Sequence, residues 1–149
     1  MCRYAINYPI YGGATYDAST TNLTYTLPIA DRELEIVLSF LSPITPTSTL
    51  RQSIPASYLS VYVTGNVDVN VYIDINGQWV SGDRGSQLVW NFDHVNAQNG
   101  ATKLKKWQFS RQNELLVSEF ADRAEWGTLH FVAPKVTSFC PMVCIGGSY

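Results

Sequence analysis

The nine residues Val67 to Ile75, VDVNVYIDI, decide how this chain reads. Val67, Val69, Val71, Ile73 and Ile75 fall on one face, and Asp68, Asn70, Tyr72 and Asp74 on the other. A strand turns successive side chains to opposite sides, whereas a helix repeats about every 3.6 residues and would scatter these valines around its circumference. The spacing predicts a half-buried antiparallel strand. Asn76-Gly77 follows at once. Both residue types reach positive φ at low cost, so a tight turn is expected there.

The same alternation extends outward in both directions. Leu23, Tyr25 and Leu27 share a face within Asn22–Leu27, and Leu34, Ile36, Leu38 and Phe40 share one opposite Glu35 and Ser39. Tyr58 to Val63 is β-branched and aromatic, and Asn99-Gly100 is placed to join Gln87–Phe92 to Lys103–Ser110 as a hairpin. Leu115–Phe120 and Trp126–Val132 complete the expected strands. Glu114–Ala124 comes nearest to helical spacing, yet its Leu115-Leu116-Val117 suits a strand equally. Pro43, Pro46, Pro55 and Gly65-Asn66 punctuate the runs. Many short strands between frequent turns predict an all-β antiparallel β-sandwich, a single domain over residues 1–149. Its expected core takes Leu34, Ile36 and Leu38 from one strand, Val69, Val71 and Ile73 from another, and Leu129 and Phe131 from a third. Trp90 and Trp126 are expected to be buried with them.

Composition narrows the function classes. The chain has 149 residues, 46% hydrophobic, 13% aromatic and only 15% charged, which favours a packed domain over disorder. The net charge is −2, and Lys103, Lys105 and Lys106 are the longest basic cluster. Nucleic acid is therefore not an expected partner, since phosphate binding needs a concentrated positive face. No apolar run approaches the roughly 20 residues of a membrane span. The opening MCRYAINYPIYGG lacks the apolar core and cleavage site of a signal peptide, so either a leader has been removed or the start is internal. Cys2, Cys140 and Cys144 lie at the two ends and are the disulfide candidates; their odd number leaves a thiol for intermolecular pairing. Three thiols with no neighbouring histidine do not fill a tetrahedral zinc shell, and no metal or cofactor is expected. Asn22-Leu23-Thr24 is a sequon, which makes Asn22 the expected glycosylation site of a secreted chain.

Three longer blocks carry a family resemblance. They are FLSPITPTSTLRQSIPASYLSVYV from Phe40, YIDINGQWVSGDRGSQLVW from Tyr72 and SEFADRAEWGTLHF from Ser118. In order and spacing they resemble the N-terminal region of fungal glutaminase A, over roughly Asp17 to Pro134. The resemblance implies a secreted setting and an accessory β-sandwich, which in that family precedes a helical toroid taken to carry the catalytic residues. Met1–Tyr16 and Lys135–Tyr149 do not read as family sequence, as in a truncated or frame-altered copy.

A glutamine amidohydrolase needs an activated nucleophile, a base and an oxyanion hole. His94 and His130 are the two imidazoles, both in segments that read as sheet or loop surface. Ser81-Gly82-Asp83 lacks the strand–turn–helix setting of a nucleophile elbow, and Cys144 has no neighbouring base. The carboxylates Asp74, Asp83, Asp122 and Glu125 fall in the family-like blocks. They suit acid–base work or sugar binding on one reading, and ion pairs on the other, within Asp83-Arg84 and Asp122-Arg123 or across from Asp83 to Arg123. Trp79, just past the Asn76-Gly77 turn, is the expected exposed aromatic, with Tyr58, Tyr62 and Tyr72 extending such a surface. Trp79, Tyr72, Asp83, Arg84, Asp122, Arg123 and Glu125 are thus the candidate binding residues, with no catalytic residue among them. The expected function is a non-catalytic secreted binding module, acting on cell-surface proteins in an immunomodulatory role by fold analogy. A glycan-binding module and an inactive glutaminase fragment are the alternatives. A homodimer is expected to cover the face that a helical partner would otherwise bury.

Overall fold

A computed structural model describes residues 7–73, 77–96 and 103–135. The chain divides into two compact units, Met1–Val69 and Asn70–Tyr149. Both are antiparallel β, so the all-β, antiparallel class expected from the sequence is observed.

The first unit is a four-stranded meander, β1 (Ile10–Tyr16), β2 (Thr20–Ile29), β3 (Arg32–Leu41) and β4 (Tyr58–Thr64), each strand paired with the next. Asp17 makes the first corner: its Oδ1 accepts the backbone N–H groups of Ser19 and Thr20, both at 2.7 Å. These bonds hold the Asp17 carboxyl below the ordinary aspartate range. The β2–β3 hairpin has only Ala30 and Asp31 between Ile29 and its partner Arg32, with Ala30 at a left-handed φ of 51°. Leu23 faces Leu38, and Leu27 faces Leu34, across this ladder. Leu34 is the best-buried side chain of the unit, 2% exposed. A single helical turn, α1 (Thr49–Gln52), capped by the Ser48 hydroxyl, lies in the proline-rich link to β4.

The second unit holds a three-stranded sheet in the order β5 (Leu88–Asn96), β6 (Lys103–Arg111), β9 (Thr128–Pro134). A small hairpin, β7 (Glu119–Phe120) with β8 (Arg123–Ala124), precedes β9. Register places Trp90, Phe109 and Leu129 side by side, and Phe92, Trp107 and Phe131 in the next row. Opposed residues of an antiparallel pair share a face, so one face is an aromatic ladder. Ring centroids lie 4.5 Å apart for Trp90–Phe109 and 5.0 Å for Phe92–Trp107. The reverse face carries Asn91, Gln108 and His130 in one row.

Several expectations are corrected. Val67–Ile73 of the opening stretch joins no ladder among the described residues; Ile75 and Asn76 lie outside them. Period two survives in burial, with Val67, Val69 and Ile73 half-buried between exposed Asp68, Asn70 and Tyr72, but Val71 is 45% exposed. Alternation fixes which side a residue would face; a ladder also needs a free neighbouring strand, and here the chain passes from one unit to the next. Trp90 and Trp126 are exposed. Trp90 sits on β5, which among the described residues is an edge strand with β6 on one side only, and Trp126 precedes β9. Leu115–Phe120 is strand only at Glu119–Phe120, and Glu114–Ala124 is turn and hairpin instead of helix. The β5–β6 hairpin forms as read, while its Asn99-Gly100 turn, Cys2, Cys140 and Cys144 lie outside the described residues.

Candidate functional site

The site grows from a turn-forming sequence, Ser81-Gly-Asp-Arg-Gly-Ser86. Aspartate favours the first position of a turn because its side chain can bond the backbone two residues on. Here Asp83 Oδ1 accepts the Gly85 N–H at 2.8 Å, and the Ser86 N–H reaches the Asp83 carbonyl at 3.2 Å. The Ser86 hydroxyl donates to that carbonyl at 2.7 Å and contacts the Ser81 hydroxyl at 2.8 Å.

Glu125, only 2% exposed, lies beneath this turn, directly after β8. Its backbone is fixed at both ends: the N–H donates to the Ser118 carbonyl at 3.1 Å, and the carbonyl accepts the Leu115 N–H at 3.0 Å. Its carboxylate takes the Ser81 hydroxyl on Oε2 at 2.6 Å and the Gly82 N–H on Oε1 at 2.7 Å. The approach is close enough to exclude a side chain at position 82, where a Cβ would lie 2.0 Å from the Phe120 carbonyl oxygen. The 79–87 loop is thereby pinned to the β7–β8 hairpin through one carboxylate and one backbone contact.

Arg111, at the end of β6, supplies the positive charge. NH1 lies 3.1 Å from Glu125 Oε2 and NH2 lies 3.9 Å from Asp83 Oδ2. The first contact is ionic and not a directed hydrogen bond, since NH1 is buried without a hydrogen-bond partner among the described residues. The Ser81 hydroxyl above all, then the Gly82 N–H and the Arg111 charge, hold the Glu125 carboxyl below the ordinary glutamate range, while burial pushes the other way. Above the pair opens a polar cleft of about 240 Å³, lined in part by Asp83, Ser86, Arg111 and Asn113.

Of the candidate binding residues, the structure brings Asp83 and Glu125 together around Arg111. The expected ion pairs Asp83–Arg84, Asp122–Arg123 and Asp83–Arg123 are replaced: among the described residues both ion pairs run from Arg111. Arg84 and Asp122 are exposed, and Arg123 donates to its neighbour's carbonyl at Ala121, 2.7 Å away. Trp79 is exposed as expected, at 54%, with its indole folded over Gly77, and Tyr72 is exposed too. Asn22 lies within β2, half-buried between Thr15 and Ser39. His94 stacks edge-on against Phe92, and His130 faces Gln108; neither is a partner of Ser81. Asp74 and Cys144 lie outside the described residues, and no metal-holding cluster occurs among those described. Sequence reasoning missed Arg111, Ser81 and Gly82 as partners. Arg111 is remote along the chain from both carboxylates, and only register carries it to them.

An all-β unit with a buried serine–glutamate–arginine network is what the geometry defines. Residues 21–142 match the family described as a domain of unknown function, DUF5127, and the chain belongs to that family. It is 54% identical over 128 residues to a probable glutaminase of Arthroderma benhamiae, covering 83% of this chain and 15% of that protein. It is 37% identical over 125 residues to glutaminase A of Aspergillus oryzae, covering 81% of this chain and 17% of that protein. The chain thus spans about a sixth of the length of these curated relatives. No solved structure matches it.

Proposed function

We propose that this chain is a non-catalytic accessory module of glutaminase-like proteins, working as a scaffold that presents binding surfaces. The observation that carries the reading is the commitment of the Ser81–Glu125 pair. The Ser81 hydroxyl is buried, donates to Glu125 Oε2 at 2.6 Å and accepts the Asp83 N–H at 3.1 Å. A nucleophile must reach its substrate and pass its proton to a base held near neutrality. A carboxylate held below its ordinary range, under a closed turn, suits a structural lock instead. The exposed apolar side chains of Trp79, Leu116 and Val117 support a role in contact with other molecules. The test is ammonia release from glutamine by the purified chain. We expect none above the buffer rate; release that disappears in Ser81→Ala would overturn the reading.

A further inference from the structure

We propose that the cleft above Arg111 binds a neutral carbohydrate, one sugar ring at a time. The proposal rests on the non-catalytic reading of the site and adds the class of ligand. At about 240 Å³ the cleft lies below the ~300–1,000 Å³ usual for drug-sized ligands and is on the scale of a single ring. Its wall sets a donor beside an acceptor. Asp83 Oδ1 is occupied by the Gly85 N–H, which leaves Oδ2 facing Arg111 NH2 across 3.9 Å. That gap is too long for a direct hydrogen bond. A hydroxyl seated there accepts from NH2 and donates to Oδ2, and its own dipole links the two charges.

Charge balance selects the ligand class. Arg111 is already shared between Glu125 and Asp83, so an anion would meet the Asp83 carboxylate and a cation would meet the guanidinium. A neutral polyol meets neither penalty. Gln87, Gln112 and Asn113 surround the pair, and their side-chain amides form no hydrogen bond with other described residues. Each amide offers both donor and acceptor, which is what ring hydroxyls require. The Glu125 lock holds the Asp83 turn in place before any ligand arrives, so little ordering remains to be done on binding.

The experiment is a nitrogen-15 NMR titration of the purified chain with methyl glycosides of glucose, galactose, mannose and N-acetylglucosamine. Saturable shifts of the Gly85 and Ser86 amides with at least one glycoside are expected, with a Kd on the order of millimolar. Asn113→Ala should weaken binding about tenfold. Asp83→Asn keeps an oxygen for the Gly85 N–H but replaces the Oδ2 acceptor with a donor, and should weaken binding at least as much. Thermal melts of both variants within a few degrees of the parent show that the fold is intact. No shift with any glycoside, equal shifts with glycine, glutamine or inorganic phosphate, or an unchanged Kd in Asn113→Ala overturns the ligand assignment alone. Turnover of a glycoside during the titration, visible in its own spectrum, overturns the non-catalytic reading as well.

Discussion

Replacing Gly82 with alanine puts a methyl group where the chain has left no room. The new Cβ would lie 2.0 Å from the Phe120 carbonyl oxygen and 3.0 Å from its carbon. The obstacle is backbone, so no rotamer change relieves it. An ordinary carbon–oxygen contact needs about 3.3 Å, and the two segments must part by over about 1 Å. That displacement stretches the 2.7 Å bond from the Gly82 N–H to Glu125 Oε1 beyond hydrogen-bonding range. Losing a charge-assisted bond to a buried carboxylate costs about 1.5–3 kcal/mol, and the residual strain adds about 1–2 kcal/mol. Gly82→Ala should therefore destabilise the chain by about 2.5–5 kcal/mol, a fall in Tm of roughly 8–15 °C. The assay is paired thermal and urea unfolding by circular dichroism. Gly85→Ala is the control, because its Cβ would meet only the Asp83 carboxylate at 3.3 Å. It should cost under about 1 kcal/mol. If both variants unfold within about 1 kcal/mol of the parent, the loop and hairpin are not locked as described.

Further outcomes follow from the same geometry. Glu125 and Asp17 both have carboxyls lowered in the folded state, so they contribute stability above the unfolded carboxylate range and lose it as pH falls through the folded values. Unfolding midpoints should hold steady above about pH 5 and drop below it, with a shallower drop in Ser81→Ala, which removes the leading cause of the Glu125 shift; an identical acid profile in that variant would count against the assignment. Val117 is a β-branched residue at φ 59° and 94% exposed, a conformation that glycine adopts without strain. Val117→Gly should raise stability by about 1 kcal/mol in urea melts despite the entropy gained by the unfolded chain. A loss of that size would mean that the valine side chain makes a contact worth more than its strain.

The fold was legible wherever local pattern and ladder coincided. β2, β3, β4 and β6 each appear close to where alternating residues placed them, because each has a partner on at least one side that its hydrophobic face can follow into the sheet. Val67–Ile73 has the pattern without a partner strand among the described residues, and the sequence carries no signal for that. The Ala30-Asp31 hairpin was invisible for a different reason: alanine at positive φ is unfavourable, so turn chemistry does not point to it. Within the site, Asp83 and Glu125 were visible as carboxylates in family-like blocks. Their common partner was assigned to neighbouring arginines because sequence distance favours Arg84 and Arg123. The β5–β6 register sets Arg111 opposite Leu88, next to the turn that holds Asp83, and register is a non-local property.

The most direct test of the lock is amide hydrogen exchange at Gly82. This N–H belongs to no ladder, and its only described acceptor is Glu125 Oε1 at 2.7 Å. The account predicts protection comparable to the central amides of β6, lost selectively in Glu125→Ala while β6 remains protected. Exchange of the Gly82 amide at the rate of an open loop in the parent chain would contradict it.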